Sequence, residues 1–295
     1  MKARAEIFIV KLLKTSIFVL LLVSPLCVLS QAANPHLEPL PNGFAHNDYA
    51  HTHPLFDALE NGYTNLEADV FLEEDSLIIA HFNPFFRAEK TLETLYLKPL
   101  AAIVKRNNGR VYTNYPEPVI LMIDVKTGAN NTYAALKPVL QKYSFMFTSY
   151  NDGKVTPGAI TVVLSGHKPF KMLKNEKNRL AFIDEDLRRS DKDTTAVDVY
   201  KMSSCKYSKL LSWTGRGGIQ KRELTKLENF IAIAHRFHKK VRLWASPENA
   251  AVWEKLLSCG VDLINTDKLV TLRQFLIAHK NKETENEQAM MLSQN

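Results

Sequence analysis

Short apolar segments typical of β-strands alternate with amphipathic segments typical of helices from Asn42 to His279. The predicted strands are 43–47, 65–72, 119–125, 144–149, 160–165, 180–184, 209–213, 241–245 and 262–265. The predicted helices are 54–61, 92–106, 133–141, 224–239, 248–258 and 268–279, with apolar residues at three- and four-residue spacing. Repeated strand–helix units of this kind favour an α/β fold with a parallel sheet, and about eight of them favour a closed (β/α)8 TIM barrel.

The predicted strands outnumber the eight that such a barrel needs. Segments 144–149 and 160–165 are joined by 151–158, which is rich in turn formers, so one of the two is expected in a hairpin outside the barrel wall. No Pro/Gly/Ser-rich linker interrupts residues 40–279, which predicts one catalytic domain over residues 34–279. Residues 280–295 are polar and lack periodicity, and we expect a disordered C-terminal tail there.

The first 33 residues have the layout of a cleaved secretory signal peptide. Lys2, Arg4, Lys11 and Lys14 precede an uncharged apolar stretch that ends in small residues near Ala32. The alternatives are a membrane anchor, for which this stretch of about fifteen residues is short, and lipid attachment at Cys27, for which Pro25 and Leu26 are a poor context. The sequence thus predicts a secreted or periplasmic protein.

Charge and cysteine content restrict the partners. The chain carries a formal charge of +7, and removal of residues 1–33 would leave it only mildly basic. This balance suits a small or lipid-borne anionic substrate and peripheral membrane contact, but basic and aromatic residues are not interleaved as nucleic-acid binding needs. The remaining Cys205 and Cys259 form no metal-type cluster and leave their pairing open, and no protein partner can be inferred.

Two pairs of polar residues interrupt otherwise apolar strands. Glu67 and Asp69 are spaced i, i+2, as are Asp124 and Lys126, so each pair shares one face of its strand. Several buried carboxylates without compensation would be costly, so we expect Glu67, Asp69 and Asp124 to surround a cation. Oxygen ligands predict Mg²⁺ or Ca²⁺ and argue against zinc.

Two histidines lie next to these acids. His46 closes the first predicted strand, and His81 lies on the segment that returns after the second. One imidazole can accept a proton while another, close to carboxylates, donates one, and cleavage of a phosphodiester needs both steps. The structural alternative is that both are core histidines satisfied by backbone groups. Lys126 would counter phosphate charge in the catalytic alternative.

Several motifs resemble the phosphatidylinositol-specific phospholipase C and glycerophosphodiester phosphodiesterase superfamily, the PLC-like phosphodiesterases. The early motifs are Ala45-His46-Asn47-Asp48-Tyr49, Pro54-Leu55-Phe56-Asp57-Ala58-Leu59, Leu66-Glu67-Ala68-Asp69-Val70, Ala80-His81 and Ile123-Asp124-Val125-Lys126. The later ones are Trp213-Thr214-Gly215, Val241-Arg242-Leu243-Trp244-Ala245 and Val261-Asp262-Leu263-Ile264-Asn265-Thr266-Asp267. The resemblance covers about residues 42–275 and is greatest to the secreted bacterial and fungal branch.

The resemblance implies roles for single residues. His46 and His81 match the superfamily's acid–base pair, and Glu67, Asp69 and Asp124 match its ligands for a divalent ion. Lys126 matches a phosphate-contacting lysine of the sphingomyelinase D toxins. Asn47-Asp48 stands where ordinary glycerophosphodiesterases have Arg-Gly, and their Glu-Asn-Thr element is missing, so specificity for glycerol esters does not carry over.

Four further residues are candidates for substrate binding. Asn47 and Asp48 would touch the metal or hold His46, although Asn and Asp are also ordinary turn residues. Trp244 would wall the pocket or stack on a head group, with a core tryptophan as the equal alternative. His167, after Ser165-Gly166, would line the site.

These features predict a secreted, metal-dependent phosphodiesterase that uses two histidines for proton transfer. The substrate would be a phospholipid head group or a glycerophosphodiester, and the product either the hydrolysed ester or a cyclic phosphate. Two alternatives stay open: a secreted module that binds a phosphate ligand without turnover, and a metal-assisted hydrolase of another bond.

Overall fold

The computed structural model describes residues 37–82, 90–190 and 198–293. Its strands are β1 Leu40–Ala45, β2 Tyr63–Glu73, β3 Ser76–Ile79, β4 Val119–Val125, β5 Ser149–Asn151, β6 Lys154–Thr156, β7 Ile160–Gly166, β8 Asn178–Arg179, β9 Ala181–Asp186, β10 Tyr200–Lys206, β11 Lys240–Trp244 and β12 Leu263–Thr266. Eight of them are parallel and close into a barrel in the order β1-β2-β4-β7-β9-β10-β11-β12. The predicted α/β TIM barrel is confirmed.

Helices connect most of the barrel strands. They are α1 Phe56–Glu60, α2 Lys98–Arg106, α3 Ala129–Lys142, α4 Phe170–Asn175, α5 Lys221–Arg236, α6 Ala250–Ser258 and α7 Leu269–Ser293, and a π-helical turn at Glu93–Leu97 precedes α2. The apolar faces of these helices pack against the outer face of the barrel, where most of the core lies. No helix in the described ranges combines the length and the apolar character that a membrane crossing requires.

Three short strands lie outside the barrel wall in a small antiparallel sheet, ordered β6-β5-β8. The segment 144–149, predicted as a strand, is instead a 3-10 turn at Ser144–Met146 that leads into β5. The β5–β6 hairpin accounts for the excess strand, and β7 is the barrel strand. In addition, β3 pairs antiparallel with β2 at the barrel rim.

One barrel strand lies earlier in the chain than the sequence pattern predicted. The sixth barrel strand along the chain is β10, whereas the predicted strand 209–213 begins in a 3-10 turn at Tyr207–Lys209. The face of β10 that lines the cleft carries Ser204 and Lys206, so this strand lacks the apolar run used to recognise the others.

The C-terminal segment also differs from expectation. Helix α7 continues to Ser293, whereas residues 280–295 were expected to lack regular structure. The side chains of residues 281–293 are exposed, so the helix is extended by good helix formers such as Glu, Lys, Gln, Ala and Met and not by packing. The predicted signal peptide, residues 1–33, lies outside the described residues.

The barrel interior changes from apolar to polar along five of the strands, β1, β4, β7, β10 and β12. One buried cluster consists of Phe44, Ile120, Met122, Val163, Met202 and Leu263. Two residues after a member of this cluster come the polar residues His46, Asp124, Ser165, Ser204 and Asn265. Residues two apart share one face of a strand, so these polar side chains lie on the same face as the buried cluster and nearer the carboxyl ends of the strands. The mouth of the barrel at this end is therefore the place for a site.

Candidate active site

A cleft of about 530 Å³ opens at the carboxyl ends of the barrel strands. The predicted site residues that line it are His46, Asn47, Glu67, Asp69, His81, Asp124, Lys126 and Trp244. They come from β2, β4, β11 and the segments that follow β1, β3 and β4. Parallel strands thus gather residues that are far apart in the chain.

Three carboxylates form the acidic side of this cleft. Asp69 pairs with Asp124 in the parallel register of β2 and β4, and Glu67 lies two residues earlier on the same face of β2. One oxygen from each of the three lies within 4.8 Å of the others. Glu67 and Asp69 are buried, and Asp124 is half-buried. The acids predicted to converge do converge.

Two basic side chains accompany these acids. Arg242 Nη1 lies 2.9 Å from Glu67 Oε2, and Lys126 Nζ lies 2.9 Å from Asp69 Oδ2 and also pairs with Asp124. Burial raises the pKa of Asp69 although hydrogen bonds from Lys126 and Tyr49 act in the opposite direction. Burial lowers the pKa of Lys126, but hydrogen bonds from its ammonium group to Asp124 and Asp69 outweigh it and raise that pKa.

The acidic group is suited to a hard divalent cation. Mg²⁺ and Ca²⁺ bind carboxylate oxygens at about 2.0–2.6 Å, so oxygens around one ion lie about 3–5 Å apart. The separations within Glu67, Asp69 and Asp124, all 4.8 Å or less, fit this requirement. No thiolate accompanies the three acids in this group, which agrees with the preference of hard ions for oxygen ligands.

His46 is held by a carboxylate that follows β12. Its Nδ1 lies 2.7 Å from Asp267 Oδ1, and its Nε2 lies 3.9 Å from Glu67 Oε2. Burial lowers the pKa of His46, but the hydrogen bond to Asp267 and the charges of Glu67 and Asp267 outweigh it, so the pKa is raised. The same hydrogen bond lowers the pKa of Asp267. The imidazole therefore favours its protonated form.

His81 lies at the rim of the cleft, with 55% of its side chain exposed. Its Nδ1 lies 2.9 Å from the hydroxyl of Tyr49, which donates to Asp69 Oδ2 at 2.7 Å. The ring of Phe82 meets the His81 imidazole edge-on, with centroids 4.6 Å apart. The two histidines thus share one cleft, but only His46 has a direct hydrogen bond to a carboxylate.

Asn47 and Trp244 fit their expected places. The Asn47 side chain lies 2.9 Å from His46 Nδ1, and Trp244 is a partly exposed wall of the cleft. The prediction that Asn47 contacts His46 agrees with this geometry, and Trp244 is a wall residue and not a core residue.

Asp48 and His167 lie outside the cleft, which corrects the expectation that they line it. Asp48 is fully buried, and its Oδ2 accepts from the backbone N–H of Leu55 at 2.6 Å and from the hydroxyl of Tyr96 at 2.7 Å. Through these two hydrogen bonds Asp48 anchors the loop after β1, and its side chain points away from the neighbouring His46. His167 is exposed and its Nδ1 lies 2.9 Å from the carbonyl oxygen of Thr127, which turns the ring away from the cleft lining.

Several cleft residues were not predicted. Asp184 and Asp186 on β9 have the same i, i+2 spacing as Glu67 and Asp69, so the same signal could have found them. Ser165 donates to Asp124 Oδ1 at 2.8 Å but resembles any small polar strand residue in sequence. Asp267 contacts His46 across 221 positions of sequence, a separation that no local pattern reveals.

Comparison with known proteins agrees with this fold and cleft. The profile of the family described as AIM6-like phosphodiesterase domain matches residues 34–184, just over half of the chain. The proteins named Altered inheritance of mitochondria protein 6 from two yeasts are similar to this chain. The Kluyveromyces lactis protein is 27% identical over 306 residues, which cover 80% of this chain and 72% of that protein. The Lachancea thermotolerans protein is 26% identical over 277 residues, which cover 78% of this chain and 64% of that protein.

A homolog of the same name from Arthroderma benhamiae is 26% identical over 251 residues, which cover 76% of this chain and 80% of that protein. The chain therefore spans slightly less than two thirds of the Lachancea protein and more of the other two. These relatives are fungal, which supports the fungal side of the expected branch and not the bacterial side. The resemblance to PLC-like phosphodiesterases is confirmed, and the chain belongs to the AIM6-like phosphodiesterase domain family, a family of that type.

Proposed function

We propose that this protein is a metal-dependent phosphodiesterase that uses His46 and His81 for proton transfer. The observation that carries the proposal is that one cleft contains both imidazoles, the three-carboxylate group and the ammonium group of Lys126. Cleavage of a phosphodiester needs a general base, a general acid and positive charge that neutralises the phosphoryl oxygens. The membership of the chain in a phosphodiesterase-type family supports the same reaction class.

Glu67, Asp69 and Asp124 would hold one Mg²⁺ or Ca²⁺. When bound, such an ion supplies Lewis-acid stabilisation of charge on the phosphoryl oxygens. Lys126 contributes a second positive charge from the same side, because its Nζ lies beside Asp69 and Asp124. Arg242 holds the carboxylate of Glu67 in place through their 2.9 Å contact.

His46 would act as the acid. In its protonated form both ring nitrogens carry hydrogen, so Nδ1–H donates to Asp267 and Nε2–H supplies the proton for the leaving alcohol oxygen. The hydrogen bond to Asp267 and the charges of Glu67 and Asp267 raise the pKa of His46, which favours this protonated form relative to an ordinary histidine. The half-buried position next to Glu67 prevents the ring from rotating away from the cleft.

His81 would act as the base. When its Nδ1–H donates to the Tyr49 hydroxyl and that hydroxyl donates to Asp69, Nε2 is left unprotonated. That nitrogen can take the proton of the attacking hydroxyl. The attacking group is water or a neighbouring hydroxyl of the substrate, and the second case gives a cyclic phosphate.

The substrate would be a phospholipid head group or a glycerophosphodiester. We also propose that the protein is secreted after removal of residues 1–33 and that it contacts membranes peripherally. Support for both comes from the sequence alone: the signal-like N-terminal segment and the net positive charge.

The test is hydrolysis of bis(4-nitrophenyl) phosphate by the purified protein with Mg²⁺, with Ca²⁺ and with EDTA. Removal of the ion should abolish turnover, and His46→Ala or His81→Ala should each lower kcat by about a hundredfold or more. The matched control is His53→Ala, whose side chain is 71% exposed and lies outside the cleft, and it should retain full activity.

Turnover that survives EDTA would contradict the metal, and activity unaffected by both histidine substitutions would contradict the acid–base pair. Absence of turnover with any ion, together with retained binding of a phosphate ester, would favour the non-catalytic binding module. Each result therefore separates one alternative from the others.

A further inference from the structure

The cleft has a basic side as well as an acidic one. Lys168 follows β7, Arg188 follows β9, and Lys206 and Lys209 lie at and just after the end of β10. These three strands are neighbours in the barrel, in the order β7-β9-β10. The acidic group comes from β2 and β4 on the other side of β7.

Arg188 forms an ion pair, whereas the three lysines have no carboxylate at ion-pair distance. The guanidinium group of Arg188 donates to both oxygens of Asp186, at 3.0 and 2.6 Å. Lys168 Nζ donates to the backbone carbonyl of Asp184 at 2.7 Å, and its charge acts to lower the pKa of the Asp184 and Asp186 carboxyl groups from a longer distance. Within the described ranges no carboxylate lies within 4.0 Å of Lys168, Lys206 or Lys209.

Lys206 also has a defined neighbour on the next strand. It pairs with Trp244 in the register of β10 and β11, and its Nζ lies 5.7 Å from the centre of the indole ring. A partly exposed aromatic face beside an ammonium group limits the positions that a flexible lysine side chain occupies. The ammonium group is thus held next to the cleft.

A buried acceptor without a partner lies beside these lysines. Asp184 is 5% exposed and lines the cleft, and its Oδ2 accepts from the hydroxyl of Ser204. Its Oδ1 has no hydrogen-bond partner among the described residues. An unsatisfied buried acceptor destabilises the folded state, and a hydroxyl group of a ligand would offset this cost by donating to it.

We propose that Lys168, Lys206 and Lys209 form a second anion subsite and that Asp184 accepts a hydroxyl of the same ligand. This inference rests on the proposed function, because it concerns the same cleft. The substrate class that fits is a phosphodiester of a polyol that carries an additional phosphate group. The volume of the cleft, about 530 Å³, is in the range of small-molecule sites and exceeds what one phosphate group needs.

The experiment compares two soluble substrates, glycerophosphoinositol and glycerophosphoinositol 4-phosphate, by phosphorus NMR. The wild type should cleave the phosphorylated substrate with a kcat/KM about tenfold higher, and this preference should weaken as salt is added. The double variant Lys206→Ala/Lys209→Ala should lose most of the preference. The control Lys221→Ala/Lys226→Ala removes the same charge from the exposed face of α5 and should keep it.

A second arm presents the two head groups as lipids in phosphatidylcholine vesicles. Preference in the soluble arm identifies a free glycerophosphodiester as the source, and preference in the vesicle arm alone identifies a lipid head group. Equal rates for both substrates in both arms, or a preference that the Lys206/Lys209 variant retains, would overturn the subsite.

Binding measurements separate this inference from the proposed function. Calorimetric titration with inositol 1,4-bisphosphate and with inositol 1-phosphate needs no turnover. Tighter binding of the bisphosphate, lost in Lys206→Ala/Lys209→Ala, would support the subsite even in a protein that cleaves nothing. Asp184→Ala should weaken binding of both ligands by a similar factor, since it removes the oxygen that accepts the hydroxyl and leaves the three lysines in place.

Discussion

The residues of the cleft differ in how their charges are held. Asp267 fixes the ring of His46 through a hydrogen bond and raises its affinity for a proton, whereas His81 Nδ1 contacts the neutral hydroxyl of Tyr49 at 2.9 Å and lies 3.5 Å from Asp69 Oδ2. The two imidazoles therefore experience different electrostatic environments within one cleft. A pair of titratable groups in different environments is the arrangement that separates acid and base roles.

Replacing Asp267 with asparagine should shift the pH dependence of catalysis. The hydrogen bond and the charge of Asp267 raise the pKa of His46, so Asp267→Asn should lower that pKa. The acid form would then be lost at lower pH, and the alkaline limb of the pH–rate profile should move in the same direction. NMR titration of the His46 ring in EDTA and the pH profile of kcat with metal both measure this shift.

A matched variant controls for general effects of removing a histidine–carboxylate pair. Glu254→Gln breaks the 3.1 Å pair with His279 on the outside of the barrel, and its pH profile should equal that of the wild type. An unchanged pH profile in Asp267→Asn would mean that His46 is not the acid. A fall in kcat without a shift would indicate lost positioning alone.

The sequence was sufficient to find site residues that interrupt an otherwise apolar strand. Glu67, Asp69, Asp124 and Lys126 interrupt such strands at i, i+2 spacing, and all four line the cleft. It was misleading at Asp48, because adjacency to His46 does not decide the direction of a side chain once the backbone leaves the strand. Asn47 has a φ of 47°, in the left-handed region, and the chain turns at this point.

The loop after β1 is held in place by hydrogen bonds to a buried side chain. A 3-10 turn at Asp48–Ala50 follows Asn47, and the buried carboxylate of Asp48 links it to Leu55 and Tyr96. Asn47 and Tyr49 flank Asp48, and both contact a cleft histidine. Asp48 thus fixes the loop that carries Asn47 and Tyr49, although its own side chain does not line the cleft.

The buried position of Asp48 predicts a pH-dependent stability. Burial is the largest effect on its pKa and raises it from 3.8 to about 6. The folded state therefore binds this proton more tightly than the unfolded state, so the contribution of Asp48 to stability is greatest below about pH 4 and declines until about pH 6. A shift of about two pKa units corresponds to about 3 kcal/mol as an upper value.

The variant Asp48→Asn removes this titration while keeping one carbonyl oxygen as the acceptor. Between about pH 4 and about pH 7 the stability of the wild type should fall relative to the variant by up to about 3 kcal/mol. Urea unfolding at several pH values measures the difference. A constant difference between the two proteins across this range would show that Asp48 stays charged throughout.

Strand prediction succeeded where apolar residues dominate the strand and failed at β10. The strand β4, Val119–Val125, is recognised because apolar residues dominate it although Asp124 lines the cleft, whereas Ser203, Ser204 and Lys206 conceal β10. Several polar residues within one short strand thus remove the apolar run by which a barrel strand is recognised. The polar end of α7 was missed because exposed helix formers have no apolar periodicity.

The closed barrel brings together residues that are far apart in the sequence. β1 pairs with both β2 and β12, which places His46 between Glu67 and Asp267. The number of strand–helix units indicated such closure from the sequence, but the partners of each side chain depend on register and shear, which local patterns do not contain. The contact of Asp267 with His46 and the basic side of the cleft were overlooked for this reason.

The same closure predicts that a divalent ion stabilises the whole barrel. Glu67, Asp69 and Asp124 come from two neighbouring strands, β2 and β4, and unfolding would separate them from one another. An ion that binds only the folded protein adds about 2.7 kcal/mol at about 100 times its dissociation constant, which for a domain of this size raises Tm by about 5 °C or more. Differential scanning fluorimetry with Mg²⁺ or Ca²⁺, against EDTA, measures the shift.

Asp124→Asn should abolish most of this shift because it removes a ligand. It also deprives Lys126 of one of its two carboxylates. The control Asp75→Asn changes the same charge in the exposed turn between β2 and β3 and should shift like the wild type. Equal shifts in Asp124→Asn and the wild type would place the ion elsewhere, and no shift in the wild type at millimolar ion would mean that Lys126 already satisfies these acids.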